Sequence, residues 1–445
     1  MADSVKAQTT ELKREFNLLD TTMISVGSMI GSGIFLVPAS IALFVHSPSW
    51  SIAAWIIGGI VSLFGALSIA ELGTMYPNAG GLYVYLKEAY GPLWGFLYGW
   101  SAFAVIRTAS ISAVAVGFAT YLGYFVPLST LGINSVAIIS ILVLTMINSL
   151  GVKSGAIVQN VLTLIKIGTL AIVAVLGIFY GSIANFASGS LGEIPLANMA
   201  GPFGLALVAV LWAYDGWIQT TFVAGEVKEP QKNIPRALII STVLVIVIYV
   251  TVNLAYMSTL SIDKISQSTL VLSDMMTVVV GTTGAALAAI AVIISTLGCN
   301  NGLVLAPARI YYAMSRENLF FKRLALVHPK FGTPVQSLVL QGIWASLLVL
   351  TGTFEQLITY VVFASWIFYA MAAAAVILLR KNKPDLARPY KAWGYPYTPI
   401  IFIIFSTYLV VNTLIENPRD SFIGLGLVLI GLPAFHYWNS KLKKN

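Results

Sequence analysis

The stretch Val26-Gly27-Ser28-Met29-Ile30-Gly31-Ser32-Gly33-Ile34-Phe35 lies in the middle of the first long apolar segment, residues 16–45. That segment is longer than the roughly 20 residues one bilayer crossing needs. A spanning helix satisfies its backbone N–H and C=O groups internally, because hydrocarbon offers them no partner. Gly31, Ser32 and Gly33 at mid-depth work against such a helix, since they let the backbone open and leave its polar groups free. An opened helix is tolerated in a membrane only where protein or a water-filled cavity covers it. The stretch therefore predicts a buried polar site halfway across the bilayer, where secondary transporters hold substrate.

The rest of the chain agrees with that setting. Hydrophobic residues make up 58% of the sequence and charged ones 9%, with a mean hydropathy of +0.86. Such a composition excludes a soluble globular surface. Apolar runs of spanning length recur at residues 17–45, 51–76, 92–125, 133–151, 157–182, 201–226, 237–259, 281–312, 336–353, 357–380, 397–416 and 421–438. The expected fold class is an all-α integral membrane protein with about twelve transmembrane helices. The polar first 15 residues run directly into an uncleaved span, which is not the pattern of a cleavable signal peptide.

Basic residues set the expected orientation. With twelve spans, both termini share one side with the loops after spans 2, 4, 6, 8 and 10. All but four of the 25 Lys and Arg fall on that side; Lys264 and Arg419 lie opposite, and Arg107 and Lys166 lie inside spans. Both termini are expected to be cytoplasmic, in the inner or plasma membrane of the cell. The net charge of +8 is thus topological, and its scatter over short loops gives no support to nucleic-acid binding. The lone cysteine, Cys299, allows no intrachain disulfide, and with three histidines no metal cluster is expected. No Gly-rich phosphate loop ending in Lys-Ser/Thr is present, and no cofactor is implied. No nucleophile–base constellation points to an enzyme.

Span 6 carries a second interruption, Trp212-Ala213-Tyr214-Asp215-Gly216-Trp217, where a charge beside a glycine is costly unless it faces a cavity. Spans 1 and 6 lie five apart, so an odd-numbered repeat re-enters the membrane inverted, and paired breaks point to a transporter's binding site. The expected organisation is a tail at 1–16, repeat 1 at 17–182, inverted repeat 2 at 201–380, accessory spans at 397–438 and a tail at 439–445. An opened span 1 offers the amides of Ser32 and Gly33 to a carboxylate. The carbonyls near Met29 and Ile30, with those around Trp212 and Asp215, suit an ammonium group. The alternative is a helix-packing face built on small-residue spacing at Gly27, Gly31 and Gly33.

The first-span stretch resembles the signature of the amino acid–polyamine–organocation superfamily, as do Ala70-Glu71-Leu72 and Pro77…Gly80-Gly81-Leu82-Tyr83. The run Trp212-Ala213-Tyr214-Asp215-Gly216-Trp217…Gly225-Glu226-Val227…Pro230…Asn233-Ile234-Pro235 is similar to span 6 of its L-type amino acid transporter subfamily. Ser315-Arg316-Glu317…His328-Pro329…Thr333-Pro334 and Arg380…Lys383-Pro384…Arg388-Pro389-Tyr390 fit the same subfamily. The resemblance covers nearly the whole chain. It implies a five-plus-five inverted repeat with helices 1 and 6 unwound, two accessory helices, and alternating-access amino acid transport, usually obligatory exchange without sodium.

Carried over by position, the resemblance implies a substrate site at Met29, Ile30, Ser32, Gly33, Trp212, Ala213 and Asp215, with Trp212 as an aromatic gate. Lys166 matches the span-5 lysine that stands where sodium-coupled relatives hold sodium. It lies about nine residues, roughly 13 Å, into its span, too deep to snorkel without strain. Asp215 either contacts a dibasic substrate or hydrogen-bonds backbone within the break. Arg107, Cys299, Asn300, Asn301 and Ser365 are candidate pocket walls. Glu226 and Glu71 are expected to pair with Lys228, Arg236 or other loop bases. The loop at 125–134 lacks the cysteine that links animal members to a glycoprotein subunit, so no disulfide-linked partner is expected. The expected function is sodium-independent exchange of neutral amino acids; dibasic/neutral exchange and proton-coupled symport are the alternatives.

Overall fold

The computed structural model describes residues 12–187, 198–351 and 354–442. Among these residues the regular structure is helical, with one isolated bridge between Phe16 and Val227. Among the described residues, ten helices are long and apolar enough to cross a membrane by length and composition. The other two expected spans are shorter helices: Ala200–Tyr214 in span 6 and Val335–Leu348 as span 9. Expected span 8 is longer than its apolar run, extending from Thr282 through Arg316.

Span 1 begins with a reciprocal cap. The Asn17 side chain accepts from the Asp20 N–H at 2.9 Å, and the Asp20 carboxylate accepts from the Asn17 N–H at 3.1 Å. The helix Leu18–Met29 then stops, and Gly33–Val45 continues the crossing. Span 6 runs as Ala200–Tyr214, breaks, and resumes as the short helix Gln219–Phe222. The two breaks are the same backbone event. The residue after the first half-helix is Ile30 at φ −74°, ψ 86° in span 1, and Asp215 at φ −70°, ψ 84° in span 6.

Glycine is required where these breaks meet. A Cβ on Gly216 would lie 2.5 Å from the Met29 backbone nitrogen, and one on Gly33 would lie 2.9 Å from the Ala213 Cα. Each break therefore packs its own glycine against the backbone of the other. Spans 3 (Pro92–Leu122), 5 (Val152–Tyr180), 7 (Pro230–Thr259), 8 and 10 (Phe354–Asn382) surround this crossing.

One end of the bundle is closed by polar contacts. The Glu15 and Phe16 N–H groups donate to the Glu226 carbonyl at 2.8 and 2.9 Å, and Lys228 N–H donates to the Phe16 carbonyl at 2.8 Å. Arg309 of span 8 binds both oxygens of Glu226 at 2.7 and 3.0 Å, with both side chains buried. Arg380 binds both oxygens of Glu71 at 2.9 and 2.6 Å, and Arg388 lies 3.5 Å from the same carboxylate. Glu226 thus takes a span-8 arginine rather than Lys228 or Arg236, because its side chain turns into the bundle. Beside them, in the helix Leu82–Tyr90, Tyr83 donates to Glu317; burial first, then that carboxylate, pushes its phenol well above the usual range.

Candidate functional site

Ending a helix at Met29 leaves carbonyls without the N–H groups that would normally follow. The structure answers each of them with a side chain. Lys166 Nζ donates to the carbonyls of Gly27 and Ile30, both at 2.6 Å. Cys299 Sγ donates to the Ser28 carbonyl at 3.0 Å, and Ser295 adds a 3.3 Å bond to Ile30. Tyr249 of span 7 donates at 2.5 Å to Met29 and lies 3.2 Å from the Ala213 carbonyl. Its one hydroxyl touches the carbonyl ends of both broken helices. Lys166 is fully enclosed, and Gly298 makes its room, since a Cβ there would lie 3.0 Å from Lys166 Cε.

The opposite side of the break is unanswered. Among the described residues, no hydrogen bond reaches the N–H groups of Gly31, Ser32, Gly33 and Ile34. Ser32 Oγ is buried and also finds no partner there. Buried polar groups are nearly always paired, so five unpaired groups at one helix start mark a place built for something else. All but the Ile34 N–H belong to residues that line a small cavity. Span 1 contributes Ser28, Met29, Gly31, Ser32 and Gly33; span 6 contributes Trp212, Ala213 and Asp215. Ser110 and Val114 of span 3, with Cys299 and Leu303 of span 8, complete it.

Asp215 faces this cavity with its charge already matched. Arg107 Nη1 donates to Asp215 Oδ2 at 3.0 Å, and Tyr369 OH donates to Oδ1 at 2.5 Å. Arg107 Nη2 donates to the same tyrosine oxygen at 2.5 Å, closing a three-membered ring across spans 3, 6 and 10. Arg107 is fully buried, and its guanidinium carbon lies 5.2 Å from the Phe222 ring centroid.

The structure gathers Met29, Ser32, Gly33, Trp212, Ala213, Asp215 and Cys299 around one cavity and sets other candidates apart. Ile30 turns its carbonyl to Lys166 and Ser295. Asn301 lies away from the cavity lining: its amide donates to Gln159 at 2.9 Å and its oxygen accepts from Asn148 at 2.8 Å, joining spans 4, 5 and 8. Arg107, Asn300 and Ser365 do not line the cavity either. Sequence reasoning passed over Tyr249, Ser110, Val114 and Leu303. Ser110 lies in the polar run Thr108-Ala109-Ser110-Ile111-Ser112, a visible signal, whereas Tyr249 is one tyrosine in a β-branched apolar helix.

A bundle of membrane-spanning helices enclosing a small polar cavity between two mid-membrane helix breaks defines a multi-pass membrane transporter, not an enzyme. The chain belongs to the amino acid permease family, whose pattern it matches over residues 16–429. It falls on the L-type side of the amino acid–polyamine–organocation superfamily, and it transports amino acids. The serine/threonine exchanger of Bacillus subtilis (strain 168) is 34% identical over 430 residues, covering 96% of this chain and 97% of the relative. The b(0,+)-type amino acid transporter 1 of Mus musculus is 32% identical over 444 residues, covering 98% and 89%. The cystine/glutamate transporter of Homo sapiens is 32% identical over 448 residues, covering 97% and 87%.

Proposed function

We propose that this protein is a sodium-independent exchanger of small neutral L-amino acids that works by alternating access. The observation that carries the reading is the row of unpaired N–H groups at Gly31, Ser32 and Gly33 with the orphan Ser32 hydroxyl, all on residues lining one cavity. A carboxylate at that helix start gains several hydrogen bonds and the favourable end of the helix dipole. The α-ammonium group turns to the far wall, where the Met29 and Ala213 carbonyls each keep a second lone pair beyond the Tyr249 bond. The side chain is left to Trp212, Val114, Ser110 and Leu303, with Trp212 as the gate. The small cavity favours small substrates, and the serine/threonine exchanger among the relatives agrees with this.

Two features support independence from sodium and preference for neutral substrates. Lys166 holds the carbonyls of the opened span 1 with a tethered ammonium, in the manner of a bound cation. Asp215 is matched by Arg107 and Tyr369, so a second positive charge on the substrate finds no free carboxylate. The similar breaks of spans 1 and 6 support inverted repeats at 17–182 and 201–380 with accessory spans after them. The bias of basic residues supports cytoplasmic termini and the cell membrane.

The test is uptake of radiolabelled serine, alanine, leucine and lysine into liposomes holding the purified protein, in sodium-free buffer, with and without internal amino acid. Uptake of neutral amino acids only against internal substrate is expected. Uptake into empty vesicles that follows an imposed proton gradient would replace exchange by symport.

A further inference from the structure

The ring formed by Arg107, Asp215 and Tyr369 contains more charge than substrate orientation requires. Asp215 lines the cavity, while Arg107 and Tyr369 reach it from behind and occupy both of its oxygens. Arg107 is placed by an irregularity in span 3. The five residues Ala102–Ile106 form one π-helical turn that ends at Arg107, and Thr108 Oγ1 donates back to the Phe103 carbonyl at 2.7 Å. Such turns re-aim the side chains that follow them and recur at functional sites. Arg107 is buried, and its Nε finds no partner among the described residues.

We propose that Arg107 is a selectivity residue: its guanidinium fills, on Asp215, the place that the cationic side chain of a dibasic amino acid would take. The proposal rests on the amino acid exchange reading above. A lysine or arginine substrate entering the cavity meets a carboxylate whose oxygens are both engaged, so its second charge stays uncompensated. Truncating Arg107 removes the competing cation, leaves the Asp215 charge uncompensated with Oδ2 free and only Tyr369 on Oδ1, and vacates the guanidinium volume behind it. The substrate's own cation then becomes the group that completes the site. Arg107 acts through Asp215 and makes no contact with the cavity itself.

The experiment uses the full chain in liposomes loaded with serine and compares wild type with Arg107→Ala, Arg107→Met and Arg107→Ala/Asp215→Asn. Wild type is expected to exclude external lysine and arginine. Arg107→Ala is expected to gain lysine uptake about tenfold or more above wild type, the worth of one charge-assisted hydrogen bond. Free guanidinium ion should compete with that gained uptake, and the double variant should lose it. A purely structural role for Arg107 would lower all uptake and create none. Neutral uptake persisting in Arg107→Ala and Arg107→Met without any gain for lysine overturns the proposal. So does lysine competing with serine in the wild type, a measurement that stands even if the variants fail to fold. Absence of serine exchange in wild type would count against the exchange reading instead. The Arg107 proposal is then read in detergent, where lysine should raise the melting temperature of Arg107→Ala and leave wild type unmoved.

Discussion

Replacing Tyr249 by Phe removes a single oxygen from the junction of the two broken helices. The ring contacts remain, because the aromatic face packs on Trp55 at 5.3 Å and on Tyr214 at 5.0 Å between centroids. What is lost is the hydroxyl's one donated bond, 2.5 Å to Met29, with the Ala213 carbonyl 3.2 Å away as its alternative acceptor. That bond is worth a net of roughly 0.5–1.5 kcal/mol to the junction. Water entering the cavity that Met29 and Ala213 line brings the loss toward the lower figure. The carbonyls freed by the change gain a lone pair for a substrate ammonium, so apparent affinity for neutral amino acids should hold. Turnover should fall by roughly two- to tenfold, since 1.4 kcal/mol is one power of ten. Thermal unfolding in detergent and initial rates of exchange across a substrate series separate these effects. Unchanged melting with unchanged turnover would refute the clamp. A rise in KM at constant turnover would instead make the Tyr249 hydroxyl a substrate ligand.

Four further outcomes follow from the same geometry. Ser32→Ala deletes a buried hydroxyl that has no partner among the described residues, so stability should hold or rise while KM rises about tenfold; a stability loss without a KM change would count against the carboxylate site. Gly216→Ala drives a Cβ to 2.5 Å from the Met29 nitrogen and should lose about 1–3 kcal/mol and most uptake. Gly168→Ala, on an exposed stretch of span 5 with nothing within 4 Å, should be neutral or gain up to about 1 kcal/mol in the same melting assay. Glu226→Gln strands the buried Arg309 and should cost about 3–5 kcal/mol, most of it recovered in the Glu226→Gln/Arg309→Met double variant.

Much of the site was legible because a membrane makes certain residues conspicuous. Glycines in an apolar run, a carboxylate beside a glycine and a lysine deep in a span each break the pattern that hydrocarbon imposes. That is how Gly31–Gly33, Asp215-Gly216 and Lys166 stood out, and the structure brings all three to one crossing. Helix rotation was not legible. A helix buried on all sides has no polar face to orient it, so nothing in the sequence said that Ser110 and Val114 face the cavity while Asn300 and Asn301 do not. Partnerships between distant residues were equally hidden. Arg107 and Asp215 lie 108 positions apart, and Glu226 and Arg309 lie 83 apart. Each arginine's role depends on which carboxylate the fold delivers to it.

The proposed exchange has a physical rationale in the way the half-helices are held. Lys166 and Cys299 tie the first half of span 1 to spans 5 and 8, Arg107 and Tyr369 tie the span 6 break to spans 3 and 10, and Arg309 ties its far end to span 8. Any motion that carries spans 1 and 6 against these neighbours strains several buried charge contacts at once. Each ion left uncompensated costs several kcal/mol. The empty carrier meets that barrier with the N–H groups of Gly31, Ser32 and Gly33 and the Ser32 hydroxyl still unpaired beside the cavity. A bound amino acid pairs those groups with its carboxylate and the facing carbonyls with its ammonium, which is a stabilisation only the loaded carrier receives. Loaded crossing in both directions with little empty return is the kinetic definition of an exchanger. Deprotonating Lys166 would leave two N–H donors for the Gly27 and Ile30 carbonyls but remove the charge that strengthens both bonds, so symport through this residue would loosen the first half of span 1 in the empty and the loaded carrier alike.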